Sequence, residues 1–129
     1  MGNSIRYIGM SPRDDALKVE GIDNLYCAGE KAGSLVGHTE AICTGTLAGF
    51  NAVKKVNGEN QVILPEESIL GYTIKYVREQ MKTPEGLGLK FTFSGSVLFE
   101  RMKQQDMYSI DSELIMDRVE KAGLTQIFA

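Results

Sequence analysis

A glycine-rich loop that leads into a helix carries the residues of this chain with the clearest chemical potential. Gly29, Glu30 and Gly37 follow a short apolar run, and a helical pattern begins at His38. Glycine lets the backbone bend sharply and approach a ligand closely, and a helix start offers free N–H groups and the positive end of the helix dipole. This order predicts a strand–loop–helix cradle over residues 24–57 that binds an anionic or electron-rich group.

The helix of this cradle has small residues along one face. At helical spacing, that face contains Ala41, Gly45, Ala48, Gly49 and Ala52. A glycine in a helix interior costs about 1 kcal/mol relative to alanine, so two glycines indicate that another group approaches the face closely. On spacing alone, we favour packing of this face on a sheet.

Four stretches of the sequence resemble a known protein family. They are Asn24-Leu-Tyr-Cys-Ala-Gly-Glu30, Gly37-His-Thr-Glu-Ala41, Gly45-Thr-Leu-Ala-Gly-Phe-Asn-Ala52 and Leu64-Pro-Glu-Glu-Ser-Ile-Leu-Gly71. The first three are similar to the C-terminal flavin-binding signature of the glucose-inhibited division protein A (GidA) family. The fourth resembles the segment after the flavin helix in the folate-dependent tRNA uracil methyltransferase (TrmFO) branch. The density of matched glycines makes the resemblance, which covers residues 17–78, fairly specific.

The resemblance implies an FAD site in the cradle. In flavoproteins of this type the acidic residue after the strand accepts hydrogen bonds from the ribityl hydroxyls, and Glu30 stands at that position. Backbone N–H groups at the helix start would face the pyrimidine edge of the isoalloxazine, where negative charge accumulates on reduction. The implied cofactor-binding residues are Gly29, Glu30, Gly37, His38, Thr39, Glu40 and Ala41. NAD(P)H would be the reductant.

Catalytic residues are not indicated by the sequence. His38 is the single histidine, and a lone histidine at a helix start more often caps or packs than transfers a proton. Glu40 in the first turn complements the helix dipole. Cys27 and Cys43 have no metal-ligand or redox spacing, do not match the nucleophilic cysteines of the family, and fit buried, reduced thiols. We therefore assign no metal site and no catalytic residue.

The sequence lacks the motif with which an FAD site usually begins. No Gly-x-Gly-x-x-Gly occurs among its 129 residues, whereas members of the family are several-fold longer and carry one. We therefore expect the chain to be the C-terminal piece of an FAD-dependent oxidoreductase, with the N-terminal nucleotide-binding half as its missing partner. Alone, the piece is expected to bind FAD poorly and to be inactive.

The order of elements predicts an α+β fold with a few short strands and about four helices. Residues 1–58 would be the C-terminal end of a Rossmann-like FAD-binding domain, and residues 59–129 a small helical cap. Short strands are expected at 4–10, 17–20, 25–28 and 87–93 because these segments favour β-structure or alternate in polarity. Helices are expected at 38–56, from Pro65 until Thr83-Pro84 stops it, at 97–107, and from Asp111 to Gly123.

The charge distribution leaves the macromolecular partner open. A net charge of -3 does not favour nucleic-acid binding, yet residues 71–103 hold six basic and three acidic groups. A solvated helix face or an RNA contact would each explain this bias. Modification of tRNA uridine, with a folate carbon donor left open, therefore competes with two alternatives. One is a non-enzymatic protein or RNA interaction module, and the other is a flavin oxidoreductase of the same fold unrelated to RNA.

Hydropathy predicts neither secretion nor a membrane span. The sequence has no apolar run of 18 residues and no N-terminal apolar signal region. We expect a cytoplasmic location, with no membrane partner and with a homo-oligomer as a further alternative.

Overall fold

A computed structural model describes residues 7–29 and 33–128 of the chain. A short 3-10 helix spans Tyr7–Met10. Five α-helices follow in the described residues: α1 (His38–Val56), α2 (Ile69–Gln80), α3 (Pro84–Leu87), α4 (Ser96–Gln104) and α5 (Ser112–Lys121). The predicted helices therefore form, and α3 is an additional short one that begins at Pro84, where the sequence predicted only a stop.

The long helix α1 begins and ends where the sequence predicts. Gly37 is its N-cap residue, and Asn57 is its C-cap residue. Gly58 follows with a φ of 71°, the left-handed conformation that glycine adopts easily after a helix. Lys54 and Lys55 lie in the last turn, where positive charge complements the negative end of the dipole.

The predicted strands at 17–20 and 25–28 are wrong in the described structure, which contains isolated bridges instead. The pairs Arg13–Val19 and Lys18–Tyr26 each form a single antiparallel bridge. The carboxylate of Asp14 explains the interruption, because its Oδ1 accepts hydrogen bonds from the N–H groups of Ala16 at 2.9 Å and Lys18 at 3.0 Å. Such local bonds compete with a strand ladder.

The outer predicted strands are also not formed as expected. Residues 4–6 of the first lie outside the described part, and the remainder of that segment is the 3-10 helix. In the segment 87–93, a parallel bridge joins Phe91 to Leu35, and the Phe91 N–H donates to the Ser34 carbonyl at 2.8 Å. One bridge does not make a strand, so the described fold is mainly helical.

Helix α2 begins later than the sequence predicts. The first residue of the helix is Ile69, whereas the sequence predicted Pro65. Ser68 is the N-cap residue, and its hydroxyl accepts a hydrogen bond from the Gly71 N–H at 3.0 Å. The same hydroxyl donates to the Pro65 carbonyl at 2.7 Å. Because a serine cap satisfies a free donor of the first turn, the helix starts after Ser68 and Pro65 begins a turn instead.

Two apolar clusters meet at α2. The first has Leu17, Leu47, Ala48, Leu64 and Ile74 at its centre. The second has Leu35, Val77, Phe91, Leu98 and Met102 at its centre. Ile74 lies in the first cluster and Val77, one turn later on the same face of α2, lies in the second, so this helix joins them. The domain boundary at residue 58 stays a prediction, and each cluster contains residues from both sides of it.

A buried asparagine on α1 holds two neighbouring segments. Asn51 is fully buried, and its Nδ2 donates to the carbonyls of Ala16 at 3.1 Å and Val62 at 2.9 Å. Its Oδ1 accepts from the Val62 N–H at 2.7 Å. One side chain therefore satisfies three backbone groups from segments that have no regular partner of their own.

The small-residue face of α1 is only partly packed. Ala48 lies in the first apolar cluster. A Cβ atom added at Gly45 or Gly49 would meet no atom within 4 Å, and Ile42 and Val53 beside them are 70% and 60% exposed. Within the described chain, the expected packing of these glycines on a sheet is therefore wrong.

Among the described residues, no helix combines the length and apolarity needed to cross a membrane.

Candidate cofactor-binding site

The loop before α1 has the backbone shape that its glycines predict. Gly29, Gly33 and Gly37 have φ angles of 88°, 77° and 123°, which side-chain-bearing residues rarely adopt. Glu30, the predicted ligand of the ribityl hydroxyls, lies in the segment 30–32, outside the described residues. The described glycines bring both ends of the loop against the start of α1.

The side chain of Glu40 lies against Gly37 at the N-terminus of α1. Glu40 is buried, and its Oε1 accepts a hydrogen bond from the Phe93 N–H at 2.9 Å. A Cβ atom at Gly37 would lie only 2.0 Å from Glu40 Oε2. Glycine is therefore required here for space as well as for its φ angle. The Glu40 carboxylate points into the protein, and the residue as a whole is buried, so its side chain is not available to an external ligand.

Two residues in the first turn of α1 are exposed, and no side chain caps that turn. Gly37 has no side chain to cap the helix, and the first N–H groups of any helix lack partners within the helix. His38 and Thr39 are exposed, and Ala41 is half-buried. The structure thus places His38, Thr39, Glu40 and Ala41 together in one turn. Such a turn can bind an anion or an electron-rich edge through backbone N–H groups.

Thr44, which the sequence analysis did not select, connects the loop to the helix. Its hydroxyl accepts a hydrogen bond from the Gly29 N–H at 3.1 Å and donates to the Glu40 carbonyl at 2.8 Å. Thr44 lies one turn after Glu40 on the same side of α1, and that spacing is the signal that could have identified it. This bond positions Gly29 beside the predicted site.

Replacing Thr44 with valine should loosen the loop. Valine keeps the shape but removes both hydrogen bonds, so we expect the free energy of unfolding to fall by about 1–3 kcal/mol. Thr46→Val is the matched control, because the exposed Thr46 hydroxyl bonds only the Ile42 carbonyl one turn earlier, at 2.7 Å. Denaturant unfolding of both variants measures the difference. Equal stabilities would contradict a role for Thr44 in holding the loop.

The remaining reactive side chains near α1 do not form a catalytic group. Cys27 and Cys43 are partly buried, and neither forms a disulfide within the described residues. Burial, with a smaller effect of the nearby Glu40 charge, raises the pKa of the Cys43 thiol, which disfavours the reactive thiolate. Among the described residues, no three His, Cys, Asp or Glu side chains come close enough to hold a metal ion.

Sequence comparison identifies a family for this loop and helix. Residues 1–60 match the family model described as glucose inhibited division protein A. The chain is related to the GidA family. This match includes the loop and all of α1, so the first three of the four stretches that carried the predicted resemblance lie within it.

Curated relatives place the relationship in the TrmFO branch of the GidA family. Each is a methylenetetrahydrofolate–tRNA-(uracil-5-)-methyltransferase TrmFO. The protein of Thermus thermophilus is 35% identical over 100 residues, which are 73% of this chain and 22% of the relative. The protein of Exiguobacterium is 42% identical over 55 residues, 43% of this chain and 12% of the relative. That of Fusobacterium nucleatum is 31% identical over 78 residues, 60% of this chain and 18% of the relative.

These matches confirm the predicted relationship to GidA-family flavoproteins of the TrmFO branch. The chain matches about a fifth or less of the length of these relatives, between 12% and 22%. No solved structure matches the chain significantly. The roles of individual residues in the loop and in α1 are therefore inferred from the geometry of this chain.

Proposed function

We propose that this chain is part of an FAD-dependent oxidoreductase of the GidA family that takes part in tRNA uridine modification. In this proposal α1 and its loop hold the isoalloxazine end of FAD. The observation that carries it is the start of α1 at Gly37, which no side chain caps and where the exposed residues His38 and Thr39 follow a loop with three left-handed glycines. FAD would supply hydride transfer, with NAD(P)H as the proposed reductant.

The residues at the start of α1 fit this cofactor in shape and charge. The N–H groups of His38 and Thr39 are accessible to the electron-rich pyrimidine edge of a flavin, and the positive end of the helix dipole favours negative charge there. The Glu40 carboxylate faces into the protein, where it accepts a hydrogen bond from the Phe93 N–H. Gly29 would line the same site, with Glu30 as the proposed partner of the ribityl hydroxyls.

The uncovered small-residue face of α1 supports the proposal that another part of the protein packs against it. Gly45 and Gly49 leave room for close approach, and the flanking side chains of Ile42 and Val53 are exposed. Apolar helix surface in water is unfavourable, so we propose that the nucleotide-binding half of the flavoprotein covers it. A second copy of this chain is the alternative partner.

Flavin fragments test the proposed orientation of the cofactor. We expect the chain to quench riboflavin fluorescence in a weak but saturable manner, and ADP not to compete, because no adenosine site is proposed here. Gly37→Ala should weaken riboflavin binding about tenfold by disturbing the helix start, equivalent to about 1.4 kcal/mol. Gly58→Ala is the matched control, since Gly58 also has positive φ, 71°, but lies at the other end of α1. Competition by ADP, or unchanged binding by Gly37→Ala, would contradict the proposal.

Cellular tRNA tests the proposed substrate. The names of the relatives specify methylation of uracil at position 5 of tRNA, so we expect tRNA from cells lacking this protein to lose 5-methyluridine. Mass spectrometry of tRNA nucleosides measures the loss, and re-expression of the gene should restore the modification. Unchanged tRNA together with riboflavin binding would favour the alternative of a flavin enzyme unrelated to RNA. Unchanged tRNA without flavin binding would favour an interaction module.

A further inference from the structure

Arg101 on α4 is an exposed cation that two tyrosines of α2 hold in place. Its Nε–H donates a hydrogen bond to the Tyr72 hydroxyl at 2.6 Å, and its guanidinium carbon lies 5.1 Å from the centre of the Tyr76 ring. Arg101 makes no other hydrogen bond or ion pair with the described residues, 7–29 and 33–128. The N–H donors of its two terminal nitrogens are therefore available to an external group.

Most other basic residues between positions 71 and 103 differ from Arg101, because carboxylates neutralise them. Ion pairs join Lys75 to Glu66 at 2.6 Å, Arg78 to Asp15 at 3.0 Å, Lys82 to Glu79 at 2.9 Å and Lys103 to Glu100 at 2.8 Å. The sequence left open whether this basic bias reflects a solvated helix face or an RNA contact. The ion pairs account for these residues as a solvated face, and they leave Arg101 as a candidate for binding an external anion.

The two tyrosines give the Arg101 guanidinium a defined position. Their rings stack, with centroids 6.1 Å apart and planes 8° from parallel. The Tyr76 ring also packs edge-on against Phe91, with centroids 5.5 Å apart, and Phe91 is buried in the second apolar cluster. The hydrogen bond and the ring contact restrict rotation of the guanidinium, so less side-chain entropy is lost when its terminal nitrogens bind a ligand.

A phosphodiester group of RNA fits this arrangement. A guanidinium binds two phosphate oxygens through parallel hydrogen bonds, and the half-buried rings of Tyr72 and Tyr76 beside it offer surface on which a base can stack. Because neighbouring cations are paired, the site supplies one contact rather than a broad basic surface. We propose that Arg101, positioned by Tyr72 and Tyr76, binds one backbone phosphate of the tRNA substrate. This inference rests on the proposed function, in which tRNA is the substrate.

Binding of an unmodified tRNA transcript to the chain tests this inference. Fluorescence anisotropy at several salt concentrations measures the dissociation constant and its salt dependence. Arg101→Gln should raise the dissociation constant about tenfold and should make the plot of log affinity against log salt concentration less steep by about one, as expected for one lost phosphate contact. Lys103→Gln is the matched control. It removes a positive charge from the other side of the same helix, where Glu100 already pairs with Lys103, so it should bind tRNA normally.

A second variant tests the positioning role of Tyr72. Tyr72→Phe keeps the ring and removes only the hydroxyl that accepts the hydrogen bond from Arg101. We expect tRNA binding to weaken about threefold, because one hydrogen bond that orients the guanidinium is lost. The salt dependence should not change, since the charge of Arg101 remains. Circular dichroism should show the same helix content for all three variants, whose altered side chains are exposed or half-buried.

The outcomes separate this phosphate contact from the proposed function. Equal tRNA affinity and salt dependence for Arg101→Gln and Lys103→Gln would overturn the inference, and so would a lack of tRNA binding by the unaltered chain. Cellular 5-methyluridine tests the proposed function independently. If that nucleoside is lost without the protein while Arg101→Gln binds tRNA normally, only the phosphate contact is wrong. If the nucleoside is unchanged, tRNA uridine methylation itself is wrong.

Discussion

Replacing Asn51 with alanine is expected to lower the free energy of unfolding by about 3–5 kcal/mol, because three backbone groups lose their partners and a fully buried side chain is removed. The Ala16 and Val62 carbonyls and the Val62 N–H all bond this one side chain. Asn51 is fully buried, and its bond to the Ala16 carbonyl is buried with it. Denaturant unfolding monitored by circular dichroism measures the loss.

Two further variants isolate the cause of that loss. Asn51→Asp keeps the acceptor for the Val62 N–H but removes both donated hydrogen bonds and buries a charge, so it should be at least as destabilising. Asn57→Ala is the surface control, because Asn57 is exposed at the end of the same helix. A loss for Asn51→Ala within about 0.5 kcal/mol of the Asn57→Ala value would contradict the importance of these bonds.

Replacing Gly37 with alanine should also cost about 3–5 kcal/mol of stability, from two separate effects. A φ of 123° strains any residue that carries a Cβ atom, at about 1–3 kcal/mol. The new methyl group would lie 2.0 Å from Glu40 Oε2. It would push the carboxylate off the Phe93 N–H, which removes a charge-assisted hydrogen bond worth about 1.5–3 kcal/mol. Denaturant unfolding measures the sum.

A double-mutant cycle distinguishes the clash from the backbone strain. In a Glu40→Ala background the methyl group meets no carboxylate, so Gly37→Ala should then cost about 1–3 kcal/mol, the strain alone. Gly29→Ala is the matched control, because its φ is 88° and an added Cβ atom would meet nothing within 4 Å. If Gly37→Ala costs the same with and without Glu40, the proposed contact between these residues is wrong.

Local sequence patterns determined the elements whose hydrogen bonds and backbone angles involve residues close together in the chain. The 3.6-residue periodicity and the flanking glycines predicted α1 with both of its ends, because helix hydrogen bonds join residues four apart. Glycines in the loop predicted a sharply bending backbone, and Gly29, Gly33 and Gly37 have positive φ angles that only glycine adopts at little cost. The resemblance to the GidA family rests on these same residues, and it is confirmed.

Only the tertiary structure decided the features that join distant residues. Alternating polarity at 17–20 predicted a strand, but a strand needs a partner, and the Asp14 carboxylate holds the backbone in a local turn instead. The sequence placed Glu40 in the first turn of α1, but not its bond to the Phe93 N–H, 53 positions away. Such contacts depend on how helices and loops pack together, which no spacing along the chain encodes.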